Sequence, residues 1–161
     1  MNQVTTALRQ LEAYVQEEIG AQLRLLERLE AQDLALRSHD PLRIAHTTRA
    51  LDTEIEGAQK RAQRRHTILA GLADVWGLAS SSLSLSSVAE RVGDDGDDGE
   101  RLERQKQELE RISKRVQKLA RRNTTVARFH QRLTSDVLQA VLVQDDGGNV
   151  HDGGALVDAE A

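Results

Sequence analysis

Apolar residues recur at alternating steps of three and four along three long stretches of this chain. A helix turns once every 3.6 residues, so this spacing gathers such residues on one face of a helix. In the second stretch the spacing continues without a slip and forms a heptad seam. The seam consists of Ile44, Thr48, Leu51, Ile55, Ala58, Ala62, Arg65, Leu69, Leu72 and Trp76.

The pattern predicts long helices over about residues 2–37, 41–76 and 99–144. The stretch "SHDPLR" separates the first two, because Pro41 lacks a backbone donor and suits the first turn of a helix that Asp40 would cap. Gly77 ends the second helix, and in the serine-rich connection that follows a short helix over 86–92 would be capped by Ser86 or Ser87. The tight turn at "SHDPLR" makes the first two helices antiparallel.

The predicted fold is all-α. Charged residues make up 30% of the chain and aromatic residues only 2%, a composition that suits helices with an aliphatic seam better than a sheet with an aromatic core. Three amphipathic helices bury their seams best as an antiparallel three-helix bundle or coiled coil, here over 1–144. The remaining residues, 145–161, are acidic and rich in glycine, which predicts a flexible tail.

In the third helix the a positions are Leu102, Leu109, Val116, Asn123, His130 and Val137, and the d positions are Gln105, Ile112, Leu119, Val126, Leu133 and Ala140. Its end, "SDVLQAVLVQ", is apolar on more faces than one neighbouring helix covers. The tail adds a few more apolar residues. Together they predict a surface for a partner helix, formed by Val137, Leu138, Val141, Leu142, Val143, Val150, Leu156 and Val157.

Catalytic chemistry has no candidate residues in this sequence. The five histidines are scattered without metal-ligand spacing, there is no cysteine, and no phosphate-binding loop or nucleophile motif is present. We therefore expect no enzyme activity, no metal and no cofactor.

Binding to nucleic acid is an alternative that the third helix raises. From Glu100 to Arg132 the sequence has eleven Lys or Arg against four Glu, and a basic helix can neutralise phosphates. However, these side chains fall on solvent-facing positions and the whole chain has a net charge of −4, which favours a solvated face over nucleic-acid binding. A helical adaptor that dimerises through its seams is a second alternative.

A cytoplasmic location is expected. The N-terminal sequence has no apolar run of signal-peptide length, and no segment approaches the roughly 20 apolar residues that a membrane span requires.

The order of these segments resembles the FlgN family of flagellar export chaperones along nearly the whole chain. The similar stretches are "LRQLEAYVQEEIGAQLRLLERLEAQDLALRSHD", "RRHTILAGL", "GLASSSLSLSSVAERV", "LERISKRVQKLARRNTTVARFHQRLTSDVLQAVL" and "GGNVHDGGALV". The resemblance implies a cytoplasmic chaperone that keeps hook–filament junction proteins unassembled and delivers them to the type III export apparatus. It also implies that the end of the third helix and the region after it hold the client.

Overall fold

The computed structural model describes residues 3–93 and 97–147. Its α-helices are α1 (Gln3–Ser38), α2 (Pro41–Trp76), α3 (Leu85–Val92) and α4 (Asp97–Gly147), with one turn of 3₁₀-helix at Ser80–Ser82. No β-strand occurs within these two ranges. The prediction of an all-α fold is confirmed.

The boundaries of α2 are those predicted, and the capping contacts explain them. The carboxylate of Asp40 accepts hydrogen bonds from the backbone N–H of Leu42 at 3.0 Å and of Arg43 at 3.3 Å. At the other end Gly77 adopts a left-handed conformation with φ of 65°, and its N–H donates to the last turn of the helix. Glycine takes this conformation without steric cost, which makes it a common helix terminator.

The other helix boundaries differ from the sequence prediction by up to three residues. The cap of α3 is Ser84, not Ser86 or Ser87: its hydroxyl accepts from the N–H of Ser87, and the Ser87 hydroxyl accepts from the N–H of Ser84. This reciprocal capping box satisfies two backbone donors at once. At its end, α4 continues to Gly147, three residues past the predicted Gln144. The remainder of the predicted tail lies outside the described residues.

The chain divides into two compact units, and the division falls within α4. The first unit comprises residues up to Asn123 and the second comprises residues from Thr124 onward. The sequence predicted one bundle over 1–144. Within residues 124–142, where the structure describes burial, no side chain is buried.

The core of the first unit draws on all four helices. Its most deeply buried large side chains are Leu11, Val15, Leu72, Val88 and Leu102, each at most 1% exposed. The short helix α3 belongs to this core, because three of its eight residues are buried. The guanidinium of Arg91 on α3 also lies 5.1 Å from the ring centre of Trp76, a cation–π contact that ties α3 to the end of α2.

Polar contacts between the helices of the first unit show in which direction each helix runs. Along α2 the residue numbers rise as those of their α1 partners fall, so α1 and α2 are antiparallel. Along α4 the numbers rise together with those of α1, so these two helices are parallel. The contacts with α2 are Gln32–Thr48, Arg24–Glu54, Glu18–Arg61 and Glu17–Arg64, and those with α4 are Glu12–Arg101, Glu30–Arg115 and Asp33–Arg122.

The predicted seam of α2 is buried only in part, which corrects the expectation of one continuous apolar contact. Leu51, Leu69 and Leu72 are buried, whereas Ile55 is 50% exposed and the middle of the seam faces water. In this middle stretch the α2 contacts with α1 include ion pairs, among them Glu18–Arg61 with 2.7 Å between Oε2 and Nε. The short side chains of the alanines there leave little apolar area to bury.

Asn123, predicted on the seam, is the buried polar residue of the core at 2% exposure. Its Nδ2 donates to the backbone carbonyl of Leu29 at 2.9 Å and to Oε1 of Gln32 at 3.2 Å. Gln32 in turn donates to the hydroxyl of Thr48 at 3.3 Å, which links α4, α1 and α2. A shift of one residue along α4 would break both hydrogen bonds of this amide nitrogen, so the contact favours one register of α4 on α1.

Asp33 supports the same register from the side. Its carboxylate pairs with Arg122 on α4 and with Arg37 one turn further along α1. The hydrogen bond from Arg122 is the main reason that the pKa of Asp33 lies below its ordinary value. The ionised carboxylate therefore stabilises the contact between α1 and α4.

The substitution Leu51→Asp should destabilise the first unit strongly, and Ile55→Asp should not. Both residues stand on the α2 seam, but Leu51 is 7% exposed and Ile55 is 50% exposed. An unpaired carboxylate at the buried position costs several kcal/mol, a large part of the roughly 5–15 kcal/mol that holds a domain folded. Thermal and urea unfolding followed by circular dichroism measures both changes. Equal midpoints for the two variants would contradict the buried placement of Leu51.

The Asp33 carboxylate should stabilise the protein only above acidic pH. Its folded pKa is depressed, so its contribution is complete above the ordinary Asp pKa of about 4 and is lost as the pH falls through the lower folded value. Asp33→Asn should lower the free energy of unfolding by about 1 kcal/mol at neutral pH. The difference from wild type should vanish in acid. Asp52→Asn, at an exposed position of α2, is the control. A difference for Asp33→Asn that persists unchanged into acid would refute this role.

Candidate functional site

The second unit presents a run of large apolar side chains to solvent. They are between 51% and 65% exposed, although each would gain by leaving water. We call this set the α4 apolar surface: Phe129, Leu133, Val137, Leu138, Val141 and Leu142.

The α4 apolar surface is wider than the face of an ordinary amphipathic helix. At 100° per residue its members spread over about 220° of the helix circumference. A surface helix that packs on a single core usually has an apolar stripe about 100° wide. The end of α4 can therefore contact more than one partner element at a time.

The opposite side of the same helix segment is polar. It consists of Arg128, Arg132, Ser135, Asp136 and Gln139, all exposed. These side chains can stay in water while the apolar side is covered. The segment thus has the two-sided character of a helix that binds another helix.

Four of the predicted binding residues lie together on this surface: Val137, Leu138, Val141 and Leu142. Val143 lies in the described helix, but its side chain is outside what the structure describes. Val150, Leu156 and Val157 lie outside the described residues altogether. Their part in binding stays a prediction.

The sequence interpretation missed Phe129 and misplaced Leu133. Leu133 was assigned to a d position of the buried seam, yet it is 53% exposed, and Phe129 is 64% exposed. Helix length was the available signal, since α4 has 51 residues and α1 and α2 have 36 each. Because α1 and α2 are shorter than α4, they cannot cover the apolar seam of α4 along its whole length.

Contacts within the helix shape one edge of the surface. The rings of Phe129 and His130 meet edge to face, with 6.3 Å between their centres. The hydroxyl of Thr134 donates to the backbone carbonyl of His130 at 2.9 Å. These contacts leave most of the Phe129 ring open to solvent, so the ring is available to a partner.

What this arrangement can do is bind an apolar surface. Fully burying one large aliphatic or aromatic side chain contributes about 1.5–3 kcal/mol, and these side chains are only about half buried in the free chain. In the ranges 3–93 and 97–147, no three His, Asp or Glu side chains come close enough together to hold a metal ion. Among the same residues no helix is both long enough and apolar enough to cross a membrane.

Comparison with known protein families identifies a match over most of the chain. Residues 1–153 match the family model described as FlgN protein. No curated protein and no solved structure matches the chain. The matched region covers all four helices described above. FlgN proteins are flagellar export chaperones, a family of binding proteins and not of enzymes. On this match, the chain belongs to the FlgN family.

Proposed function

We propose that this FlgN-family chaperone binds hook–filament junction proteins in the cytoplasm, prevents their premature assembly and delivers them to the type III export apparatus. The observation that carries the proposal is the α4 apolar surface, whose six large side chains are about half exposed in the free chain. The identity of the client rests on the family, since the surface itself specifies only an apolar helix.

The expected client segment is an amphipathic terminal helix. Such helices associate with each other during assembly, so a chaperone must cover their apolar side until export. A helix that lies along α4 would bury part of the 220° surface, and a second client segment or the chaperone's own tail would bury the rest. The polar side of α4, with Arg128 and Arg132, stays in water.

The first unit serves in this proposal as the folded support for α4. We infer that α1, α2 and the part of α4 up to Asn123 form an antiparallel three-helix bundle. The antiparallel α1–α2 pairs and the parallel α1–α4 pairs support this arrangement. The buried amide of Asn123 would then set where along α4 the bundle ends and the exposed surface begins.

The C-terminal residues complete the proposed client site. Val143, Val150, Leu156 and Val157 supply further apolar side chains among acidic residues and glycines. A segment that orders on binding covers much surface but loses conformational entropy, which keeps the affinity moderate. Moderate affinity suits a client that must be released for export.

Replacing two leucines of the α4 apolar surface should weaken client capture. Leu138→Asp with Leu142→Asp places two charges on the surface, and we expect at least a tenfold loss of affinity, about 1.4 kcal/mol or more. The matched control is Ser135→Asp with Gln139→Asp, which adds the same charges at the same spacing on the polar side. Isothermal titration against a terminal-helix peptide of a hook–filament junction protein measures both variants. Equal affinities would remove the α4 apolar surface from client binding.

The same titration tests the tail through a truncation after Gly147. Removing residues 148–161 leaves every described helix intact. The truncated protein should show unchanged helical melting and a weaker affinity for the peptide, because Leu156 and Val157 are lost. If the truncated and full-length proteins bind equally, the tail has no part in the site.

A further inference from the structure

A second surface lies in the first unit, between α1 and α4. The two helices run parallel there, and a cavity of about 290 Å³ that is open to solvent lies between them. We call it the α1–α4 groove. Its lining residues are Leu26, Glu30, Arg115, Lys118, Leu119 and Arg122. None of them belongs to the α4 apolar surface.

The floor of the α1–α4 groove is apolar. Leu26 is buried and Leu119 packs against the core, so both offer a fixed hydrophobic base. An apolar side chain from a partner could rest on these leucines without disturbing the core.

The rim of the groove is cationic. The side chain of Arg115 is 61% exposed, and its Nη2 lies 4.0 Å from Oε1 of Glu30, the outer limit of an ion pair. Arg122 pairs with Asp33. For Lys118 no ion pair is found within the described part of the chain, so its charge is open to a partner.

The positive charge of this part of α4 is not balanced along the helix. From Arg111 to Asn123 there are six Lys or Arg and no Asp or Glu. Lys114 and Lys118 stand four residues apart, and like charges at this spacing destabilise a helix. Earlier in α4 a positive charge is balanced within the helix: Nζ of Lys106 lies 3.0 Å from Oε2 of Glu103. An anionic partner would relieve the repulsion along the groove.

We propose that the α1–α4 groove binds an acidic amphipathic helix of a second protein, separate from the exported client. The leucine floor would receive the partner's apolar stripe, and Arg115 and Lys118 would pair with carboxylates beside that stripe. A protein helix fits better than nucleic acid. The floor offers apolar contacts that a phosphate backbone cannot use, whereas an amphipathic helix supplies an apolar stripe together with its carboxylates.

This inference adds a binding partner to the proposed function and does not depend on which client the α4 apolar surface holds. The two surfaces share no residue, so each can be altered by substitutions that leave the residues of the other in place. Variants of one surface should leave binding at the other unchanged. The two proposals can therefore fail separately.

Three fluorescent probes test the chemistry of the groove on the full-length protein. The first is a synthetic helix of about three heptads with leucines at a and d and glutamates at e and g. The second has lysines in place of the glutamates, and the third is a short DNA duplex. Fluorescence anisotropy should give the tightest binding for the glutamate helix, weakened by added salt. Tighter binding of the duplex or of the lysine helix would overturn the proposal.

Charge reversal locates the binding on the groove. Arg115→Glu with Lys118→Glu should weaken the glutamate helix at least tenfold and strengthen the lysine helix. Both residues are exposed, so folding should persist, and circular dichroism checks it. Arg49→Glu with Lys60→Glu, at exposed positions of α2, makes the same change in net charge and should alter the affinity less than threefold. The milder pair Arg115→Gln with Lys118→Gln should give an intermediate loss. Equal losses for the groove and control variants would overturn the assignment.

Discussion

Burial along α4 stops at Asn123, and the organisation of the protein depends on that limit. The helix continues to Gly147, and its apolar residues continue with it, but no described side chain after Asn123 is buried. The large apolar side chains of this segment therefore remain about half exposed to water. A large exposed apolar area on a folded chain usually marks a binding surface. The last buried side chain described in α4 is that of Asn123, whose amide nitrogen donates to Leu29 and Gln32 on α1.

Much of the fold could be predicted from the sequence, because helix periodicity and capping are local properties. The ends of α2 could be predicted from Asp40 and Gly77, because each residue caps the helix through hydrogen bonds to residues within a few positions of it. The burial of individual seam residues could not be predicted from such local properties. Ile55 and Leu133 fit the seam pattern as well as Leu51 does, yet they are exposed. Their environment depends on which helix lies opposite, and periodicity in one helix does not contain that information.

The candidate site was predictable in outline for a similar reason. The residues from Val137 to Leu142 are apolar on several sides, and this excess can be seen without knowing the partner. Phe129 was missed because a single aromatic residue among arginines does not form a pattern. The α1–α4 groove could not be predicted at all, since Leu26 and Arg115 come together only through the parallel packing of two helices distant in sequence.

The two surfaces suit different kinds of partner. The α4 apolar surface is broad and has few charges on its apolar side, so it favours a hydrophobic helix with little selectivity by charge. The α1–α4 groove is narrow and cationic, and it favours an acidic helix. The FlgN family is a family of flagellar export chaperones, and binding at both surfaces is compatible with that general role.

Hydrogen exchange followed by mass spectrometry tests the central claim most directly. In the free protein, backbone amides of α4 after Asn123 should exchange much faster than those of the first unit, because no side chain described in this segment is buried. Adding a hook–filament junction protein should slow exchange between about Val126 and Val143 and leave α1 and α2 unchanged. Slow exchange of this segment in the free monomer, or protection confined to α1 and α2 on adding the client, would contradict the account.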